Sequence, residues 1–256
     1  MNEKLPTIAV AGATGLVGRT MLAILEEHNF PVGNLKLLAS KRSVGTEIEW
    51  KGNVYTVEEL THDSFHGVDI ALFSAGGAAS KEFAPSAAAS GCVVIDNSSA
   101  WRMHPDVPLV VPEVNPHTLT NHHGIIANPN CSTIQLVMAL KPIDEAFVLK
   151  RVVVSTYQSV SGAGQKGVDH LTAEIENREP VSRISPHLIA YNAVFHSFID
   201  DSGFSEEEIK VRRETRRILE LPDLRVAVTC VRVPVLGGHG ESVNIETEKP
   251  MTIERI

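Results

Sequence analysis

The chain has 256 residues, of which 43% are hydrophobic and 21% charged, a balance typical of globular domains with a substantial core. Its formal net charge of −8 argues against nucleic acid and against an anionic membrane as partners. The first six residues lack the apolar segment of a signal peptide, and no apolar run in the sequence is long enough to span a bilayer.

A glycine-rich turn follows the first predicted strand, residues 7–11. The turn, residues 12–18, reads Gly-Ala-Thr-Gly-Leu-Val-Gly and leads into an amphipathic helix expected over residues 19–28. Strand, glycine turn and helix together place a dinucleotide pyrophosphate on a helix N-terminus, so we predict a cofactor site here. The spacing is G-x-x-G-x-x-G rather than the general G-x-G-x-x-G, so a plain strand-to-helix turn is the alternative.

The second predicted strand, residues 35–39, ends without the acidic residue that commonly holds a ribose 2′-hydroxyl. Residues 40–43, Ser-Lys-Arg-Ser, follow instead. Two cations and the hydroxyls of Ser40 and Ser43 suit a 2′-phosphate, which favours NADP over NAD. A solvated basic turn explains the same stretch equally well when it is considered alone.

Further strands continue the pattern of an open α/β sheet. Residues 47–57 predict a hairpin, and the strand at residues 68–73 runs into a second small-residue turn, Ser74-Ala75-Gly76-Gly77. The alanine-rich helix that follows, residues 78–90, should be kinked or interrupted by Pro85. Arg102 follows a strand at residues 92–96, and we expect it at the ligand-binding edge of the sheet, placed for an anion. An ordinary surface arginine is the alternative.

The three cysteines, Cys92, Cys131 and Cys230, are far apart in the sequence. Their odd number, and the lack of Cys-x-x-Cys or His-Glu-x-x-His patterns, predict free thiols in a reducing cytoplasm and no bound metal ion. Cys92 and Cys230 fall in predicted strands and are expected in the core.

Cys131 stands at a predicted strand-to-helix turn within residues 128–133, Asn-Pro-Asn-Cys-Ser-Thr. Free backbone N–H groups and the positive end of the helix dipole favour a thiolate there, and the same N–H groups can hold an oxyanion. We therefore interpret Cys131 as a candidate nucleophile. A small buried cysteine beside a helix cap is the common alternative.

The pattern changes after the Cys131 helix. Long strands are predicted at residues 149–159, 226–235 and 242–247. A helix at residues 205–219 carries Glu207 and Lys210 on one face, and from spacing alone a solvated charged helix is the alternative. His239, within residues 237–240, Gly-Gly-His-Gly, is a natural general base. We predict a Rossmann-type, doubly wound dinucleotide-binding domain at residues 1–130, followed by an α+β domain with a mainly antiparallel sheet at residues 131–256.

In these motifs the chain resembles the bacterial aspartate-semialdehyde dehydrogenases. The resemblance covers nearly the whole chain in family order, and the most specific motifs are Asn-Pro-Asn-Cys-Ser-Thr and, at residues 158–164, Gln-Ser-Val-Ser-Gly-Ala-Gly. It implies that Cys131 forms a thiohemiacetal and then a thioester, that His239 is the acid/base and that Gln158 orients the acyl intermediate.

The resemblance also implies the binding residues. For the substrate and inorganic phosphate they are Arg102, Asn130, Glu207, Lys210 and Arg232. Arg232 would grip the substrate carboxylate and Glu207 would face its amino group, with the other three at the phosphate. For NADP they are Gly12, Thr14, Gly15, Leu16, Val17, Ser40, Arg42, Ser161, Gly162 and Gly164, to which the sequence adds Ser43, Ser74, Ala75 and Gly76 at the two turns.

The implied reaction is the NADP-dependent, phosphate-dependent oxidation of aspartate semialdehyde to aspartyl phosphate by a homodimer. Run in reverse, it serves diaminopimelate, lysine, threonine and methionine biosynthesis. Family chains continue beyond the last predicted strand, so we expect the C-terminal segment to be incomplete. Two alternatives stay open at this point: the related reductase acting on N-acetyl-glutamyl phosphate, and a truncated, non-catalytic paralogue.

Overall fold

A computed structural model describes residues 5–197 and 203–252. The chain divides into two compact units. The first is Met1–Val110 with Pro116–Pro129, and the second is Val111–Asn115 with Asn130–Ile256. Among the described residues, none of the helices has both the length and the apolar character needed to cross a membrane.

The first unit is built on a six-stranded sheet in which every pairing is parallel. Its elements are β1 (Thr7–Ala11), α1 (Leu16–Glu27), β2 (Asn34–Ala39), β3 (Glu47–Trp50), β4 (Asn53–Thr56), β5 (Glu58–Glu59), β6 (Ile70–Phe73), α2 (Gly77–Ala89), β7 (Val93–Asp96) and β8 (Ile125–Ala127). The strand order is β5-β2-β1-β6-β7-β8. The chain therefore leaves β1 toward one edge and returns to build the other, which confirms the doubly wound fold and puts the reversal between β1 and β6.

The hairpin of β3 and β4 packs on the core of the first unit. The turn residues Lys51 and Gly52 have φ values of 48° and 73°, as a tight hairpin turn requires. Trp50 is buried, and its indole N–H donates to the carbonyl of Leu22 on α1 at 2.8 Å. The indole satisfies its only donor inside the core while burying a large apolar ring.

Two helix predictions in the first unit need correction. Helix α1 begins at Leu16, three residues before the predicted start, because Gly15 serves as its N-cap and Gly18 lies inside the helix. Helix α2 is not interrupted by Pro85, which lies within its span. Pro85 is exposed, so water can reach the carbonyl that loses its helical partner there.

The second unit contains a four-stranded sheet with helices on one face. Its elements are α3 (Cys131–Phe147), β9 (Leu149–Gln158), α4 (Gln165–Ile175), β10 (Val194–Phe195), α5 (Glu206–Ile218), β11 (Arg225–Arg232) and β12 (His239–Thr247). The strand order is β10-β11-β9-β12, with antiparallel outer pairings and a parallel central pairing of β11 with β9. Two of its three pairings are antiparallel, which confirms the predicted mainly antiparallel sheet, although the central pairing makes it mixed.

The two faces of this sheet differ in burial. Val152, Val154, Val228 and Cys230 are buried on the face that α3 and α5 contact. Cys92 and Cys230 are both core residues, as expected. The opposite face is partly open, and Tyr157 there is 46% exposed.

Candidate active site

The start of α3 is held by Asn130. Its side-chain carbonyl accepts hydrogen bonds from the backbone N–H groups of Ser132 and Thr133 at 2.9 and 3.3 Å. This is a helix N-cap, worth about 1 kcal/mol, and it places Cys131 at the first residue of the helix. The sequence prediction of a strand-to-helix turn at Cys131 is confirmed.

The Cys131 thiol lies beside an imidazole. Its Sγ is 3.1 Å from Nε2 of His239, and the cysteine is exposed while Cys92 and Cys230 are buried. Burial raises the pKa of Cys92 to about 11 and that of Cys230 to about 12, so neither is a thiolate at neutral pH. Only Cys131 combines access, a helix N-terminus and a nearby proton acceptor.

Polar groups contact the second ring nitrogen of His239, Nδ1, and hold the ring in place. Its Nδ1 lies 3.0 Å from the Ser159 amide nitrogen, 3.2 Å from Ser159 Oγ and 3.0 Å from the Gly238 carbonyl oxygen. A Cβ built on Gly162 would lie 3.6 Å from the ring, so the loop backbone passes close to the imidazole. These contacts leave Nε2 directed at Cys131.

A buried polar cluster lies next to this pair. Asn130 donates from Nδ2 to Oε1 of Glu207 at 2.7 Å, and Gln158 donates to the same oxygen at 3.3 Å. Lys210 is 3.8 Å from the other carboxylate oxygen. Burial alone would raise the pKa of Glu207, but the hydrogen bond from Asn130, the Lys210 charge, nearby His196 and the bond from Gln158 together lower it. Glu207 is therefore an anion ready to meet a cation.

Strand register brings three predicted residues into a row. In the pairing, Gln158 of β9 lies opposite both Arg232 of β11 and His239 of β12. Arg232 donates from Nη1 to the Ser159 carbonyl at 2.7 Å. Burial lowers the pKa of Arg232 while the charges of Glu207 and Cys131 oppose that shift, and a guanidinium remains charged in such a setting.

In the first unit, two glycine-led helix starts lie at the ends of adjacent strands. Helix α1 follows β1 with Gly15 as its N-cap, and α2 follows β6 with Gly76 as its N-cap, neither using a capping side chain. Gly12 has φ 87°, and a Cβ there would come within 2.8 Å of the Ser74 backbone, so the two turns are in close contact. The geometry suits a pyrophosphate at the reversal between β1 and β6.

The predicted 2′-phosphate turn adjoins this site. Residues 41–43 form a short 3₁₀ turn after β2, and Thr14 Oγ1 is 3.4 Å from Ser43 Oγ. Ser40 and Arg42 are exposed, so their polar groups face solvent beside the glycine turn.

Arg102 has a further role that the sequence did not indicate. It is 8% exposed and donates from Nε to the Asn128 carbonyl at 2.9 Å and from Nη2 to the Asn97 carbonyl at 3.0 Å. The side chain thus ties together the loops that follow β7 and β8.

The sequence did not reveal several residues that contact this polar cluster or the His239 ring. Glu214 is buried and accepts from the Asn130 amide at 2.7 Å, and Ser159 contacts both His239 and Arg232. Burial, followed by the charge of Arg232, lowers the pKa of His196, whose Nε2 has no partner among the described residues. Ser159 lies in the 158–164 motif but received no role from it, and no motif marks Glu214 or His196. In the second unit, Ser161 lies in the short 3₁₀ turn at residues 160–163, and Gly164 is the N-cap of α4.

Comparison with known proteins gives consistent matches. Residues 7–122 match the model "Semialdehyde dehydrogenase, NAD binding domain", and residues 140–256 match "Semialdehyde dehydrogenase, dimerisation domain". The chain is 56% identical to aspartate-semialdehyde dehydrogenase of Aquifex aeolicus over 96% of its own length and 75% of that protein. The corresponding figures for the Bacillus subtilis enzyme are 51%, 97% and 76%.

Solved structures show the same likeness. The aspartate semialdehyde dehydrogenase II of Vibrio cholerae, complexed with ASA, superposes with a TM-score of 0.94 at 44% identity, over 99% of this chain and 77% of that one. The Candida albicans aspartate semialdehyde dehydrogenase with NADP gives a TM-score of 0.74 at 26% identity, over 97% and 73%. The chain thus spans about three quarters of the length of these relatives.

Proposed function

This chain belongs to the aspartate-semialdehyde dehydrogenases, and we propose that it oxidises aspartate semialdehyde to aspartyl phosphate with NADP and inorganic phosphate, through a thioester on Cys131. The observation that carries this proposal is the 3.1 Å contact between Cys131 Sγ and His239 Nε2 at the first residue of α3. A thiol at a helix N-terminus with an imidazole in reach is an activated nucleophile.

The chain's own residues account for the proton and acyl steps. His239 Nε2 takes the thiol proton as Cys131 Sγ attacks the aldehyde carbon, and the backbone N–H groups that begin α3 hold the resulting oxyanion until the imidazolium protonates it to the thiohemiacetal hydroxyl. His239 Nε2 takes the hydroxyl proton of the thiohemiacetal as the thioester carbonyl forms. When bound, NADP supplies the hydride acceptor for this oxidation. A phosphate oxygen then attacks the thioester carbon, and the Cys131 thiolate leaves.

The polar cluster suits an amino acid substrate. The Glu207 carboxylate is ionised and would face the substrate ammonium, while Arg232 would bind its carboxylate. We assign phosphate binding to Lys210 and Asn130, which lie near Glu207, and to Arg102. A free ammonium opposite Glu207 separates this reaction from that of the reductase acting on an acylated amine.

We assign the cofactor to the glycine turns of the first unit. A Cβ on Gly76 would meet nothing within 4 Å, so there is open space beside the backbone of this turn. That space supports a pyrophosphate bound by the turns that contain Gly12, Gly15 and Gly76. The other proposed contacts are Thr14, Leu16, Val17, Ser40, Arg42, Ser43, Ser74, Ala75, Ser161, Gly162 and Gly164. The exposed cation and hydroxyls at residues 40–43 support NADP over NAD.

We further propose a homodimer formed by the partly open face of the second sheet. Phe195 and Tyr157 are 61% and 46% exposed on this face, and Thr229 lies among them. Charge is concentrated toward one end of the face, where Glu246 accepts from Arg151 at 3.3 Å. The apolar part of this face would form the buried part of the interface, and its charged end would lie at the polar rim.

We place the reaction in the cytoplasm, within amino-acid biosynthesis and in the reductive direction. All three cysteines are free thiols, which supports a reducing compartment. Lysine, threonine and methionine are the products that this assignment implies.

The decisive experiment measures NADPH formation from aspartate semialdehyde with and without inorganic phosphate, with NAD and N-acetylglutamate semialdehyde run in parallel. We expect a signal with NADP that disappears when phosphate is omitted and is much weaker with the N-acetylated substrate. A preference for the acylated substrate would reassign the chain to the other reductase. No turnover with either substrate would support the non-catalytic alternative.

A further inference from the structure

Ser159 directs every polar group it has at the proposed catalytic residues or their neighbours. It is fully buried, immediately after the end of β9. Its amide N–H donates to His239 Nδ1 at 3.0 Å, and its carbonyl accepts from Arg232 at 2.7 Å. Its hydroxyl oxygen lies 3.2 Å from the same Nδ1 and 2.9 Å from Ser161 Oγ. None of these contacts follows from a sequence motif.

The groups in contact with Nδ1 favour different protonation states of the His239 ring. The Ser159 amide can only donate, so it is satisfied when Nδ1 is unprotonated and the ring proton is on Nε2, facing Cys131. An imidazole in that state cannot take a proton at Nε2. The Gly238 carbonyl, 3.0 Å from Nδ1, can only accept and favours the other state. The hydroxyl of Ser159 is the only neighbour of Nδ1 among these that can either donate or accept.

We propose that Ser159 is a positioning residue whose hydroxyl selects which nitrogen of His239 carries the proton. When Nδ1 is protonated, Ser159 Oγ accepts from it and turns its own hydrogen toward Ser161 Oγ. Nε2 is then free to take a proton from the substrate side, and the resulting imidazolium keeps its Nδ1–H bond to the hydroxyl. The step moves one proton and changes no bond to carbon. The inference rests on the proposed acid/base function of His239.

Other ionisable groups of the proposed site belong to several elements. They are Cys131 on α3, Glu207 and Lys210 on α5, Arg232 on β11, Glu241 on β12 and His196 after β10. Replacing Ser159 by alanine leaves all of these charges in place and also retains the amide N–H. The change therefore removes the reversible partner of Nδ1 together with that hydroxyl's contact to Ser161 Oγ.

The test compares the full chain with Ser159→Ala and Ser159→Thr by nitrogen NMR of ¹⁵N-labelled histidine. The signal of His239 among the eleven histidines is identified by its loss in His239→Gln. We expect Ser159→Ala to shift His239 toward the Nε2–H tautomer and to lower kcat about tenfold, with little change in KM for the semialdehyde. Ser159→Thr, which keeps a hydroxyl, should restore both readouts.

An unchanged tautomer signal in a folded Ser159→Ala protein would overturn the proposal, whatever happens to kcat. The NMR readout does not need turnover, so it is separate from a failure of the proposed reaction. If Ser159→Ala does not fold, Ser161→Ala removes the acceptor of the Ser159 hydrogen and should shift the tautomer in the same direction. No shift in that variant would equally contradict the proposal.

Discussion

Asn130 shows how much one residue contributes to the site. Its side-chain carbonyl caps α3, its side-chain N–H₂ donates to Glu207, and its backbone N–H donates to Glu214. The helix start that positions Cys131 is therefore bonded directly to the carboxylate proposed to meet the substrate. The helix start that carries the proposed nucleophile and the carboxylate proposed to bind the substrate are thus bonded to the same side chain.

The first prediction concerns Cys131 itself. Cys131→Ala should abolish turnover while NADP binding, proposed for the other unit's glycine turns, stays intact. Activity assays and a cofactor titration measure the two properties separately. Cys92→Ala, in the core of the first unit, is the matched control and should retain turnover. Measurable turnover by Cys131→Ala would refute the thioester mechanism.

A second prediction addresses cofactor choice. Arg42→Ala should weaken NADP binding about tenfold, the loss of one charge-assisted contact, and change NAD binding much less. Fluorescence titration with both cofactors tests this, with the exposed Lys51→Ala of the hairpin as control. Equal losses for the two cofactors would remove the 2′-phosphate assignment.

A third prediction follows from the burial of Glu241, which lies two residues from His239 on the same strand. Burial raises its pKa to about 7, only partly offset by a hydrogen bond from Gln135, and one of its oxygens has no partner among the described residues. The folded state holds this proton more tightly than the unfolded state, so the contribution to stability falls as pH rises from about 4.5 through 7.

Glu241→Gln should therefore stabilise the protein at pH 8 but not at pH 4. We expect about 2 kcal/mol in the free energy of unfolding at the higher pH, less than the full pKa difference because the side chain is partly exposed. Urea unfolding at both pH values measures it. Glu248→Gln, at an exposed position just after the other end of β12, should show no such pH dependence. A pH-independent effect at Glu241 would contradict this reasoning.

Among the helices and strands, the start of α3 could be predicted because the residues that determine it are neighbours in the sequence. The Asn-Pro-Asn turn before Cys131 predicts the α3 start because Pro129 cannot extend β8 and Asn130 can cap a helix. The direction of β11 against β9 was not predictable in this way. Their pairing is parallel and joins residues far apart in sequence, whereas strand patterns report only which faces are buried.

The residues of the candidate site also differ in whether the sequence alone could identify them. Cys131 stands in recognisable local surroundings, so it could be found in the sequence, whereas His239 was singled out among eleven histidines by the family resemblance. Ser159, Glu214 and His196 become functional candidates only through contacts with residues distant in the chain. Side chains that act through tertiary neighbours leave no periodic or spacing signal.

A fourth prediction tests the packing of α1 on its glycine turn. A Cβ on Gly18 would lie 2.3 Å from the Gly12 carbonyl oxygen, so Gly18→Ala must push the helix away from the turn. We expect a loss of about 3 kcal/mol in stability, with weakened cofactor binding. Gly77→Ala is the matched control, since its Cβ meets nothing within 4 Å and its position is already helical. Comparable losses in both variants would refute the steric explanation.

For the whole molecule, the fifth prediction concerns assembly. Thr229 lies exposed on β11 in the middle of the proposed dimer face. Thr229→Arg should place a charge in an apolar interface and convert dimer to monomer in analytical ultracentrifugation. Val54→Arg, exposed on the hairpin of the first unit, should leave the mass unchanged. A monomeric parent protein would remove the dimer proposal altogether.

The row formed by Arg232, Gln158 and His239 has a consequence for protein synthesis. The three residues meet only after β11 and β12 have joined β9, which requires pairing over about 80 residues of chain. Cys131 is made 108 residues before His239, so during synthesis it first has no imidazole beside it. The nascent thiol thus lacks its proton acceptor until the sheet closes in the correct register. An increase in the reactivity of the Cys131 thiol during translation would then report that β12 has joined β9.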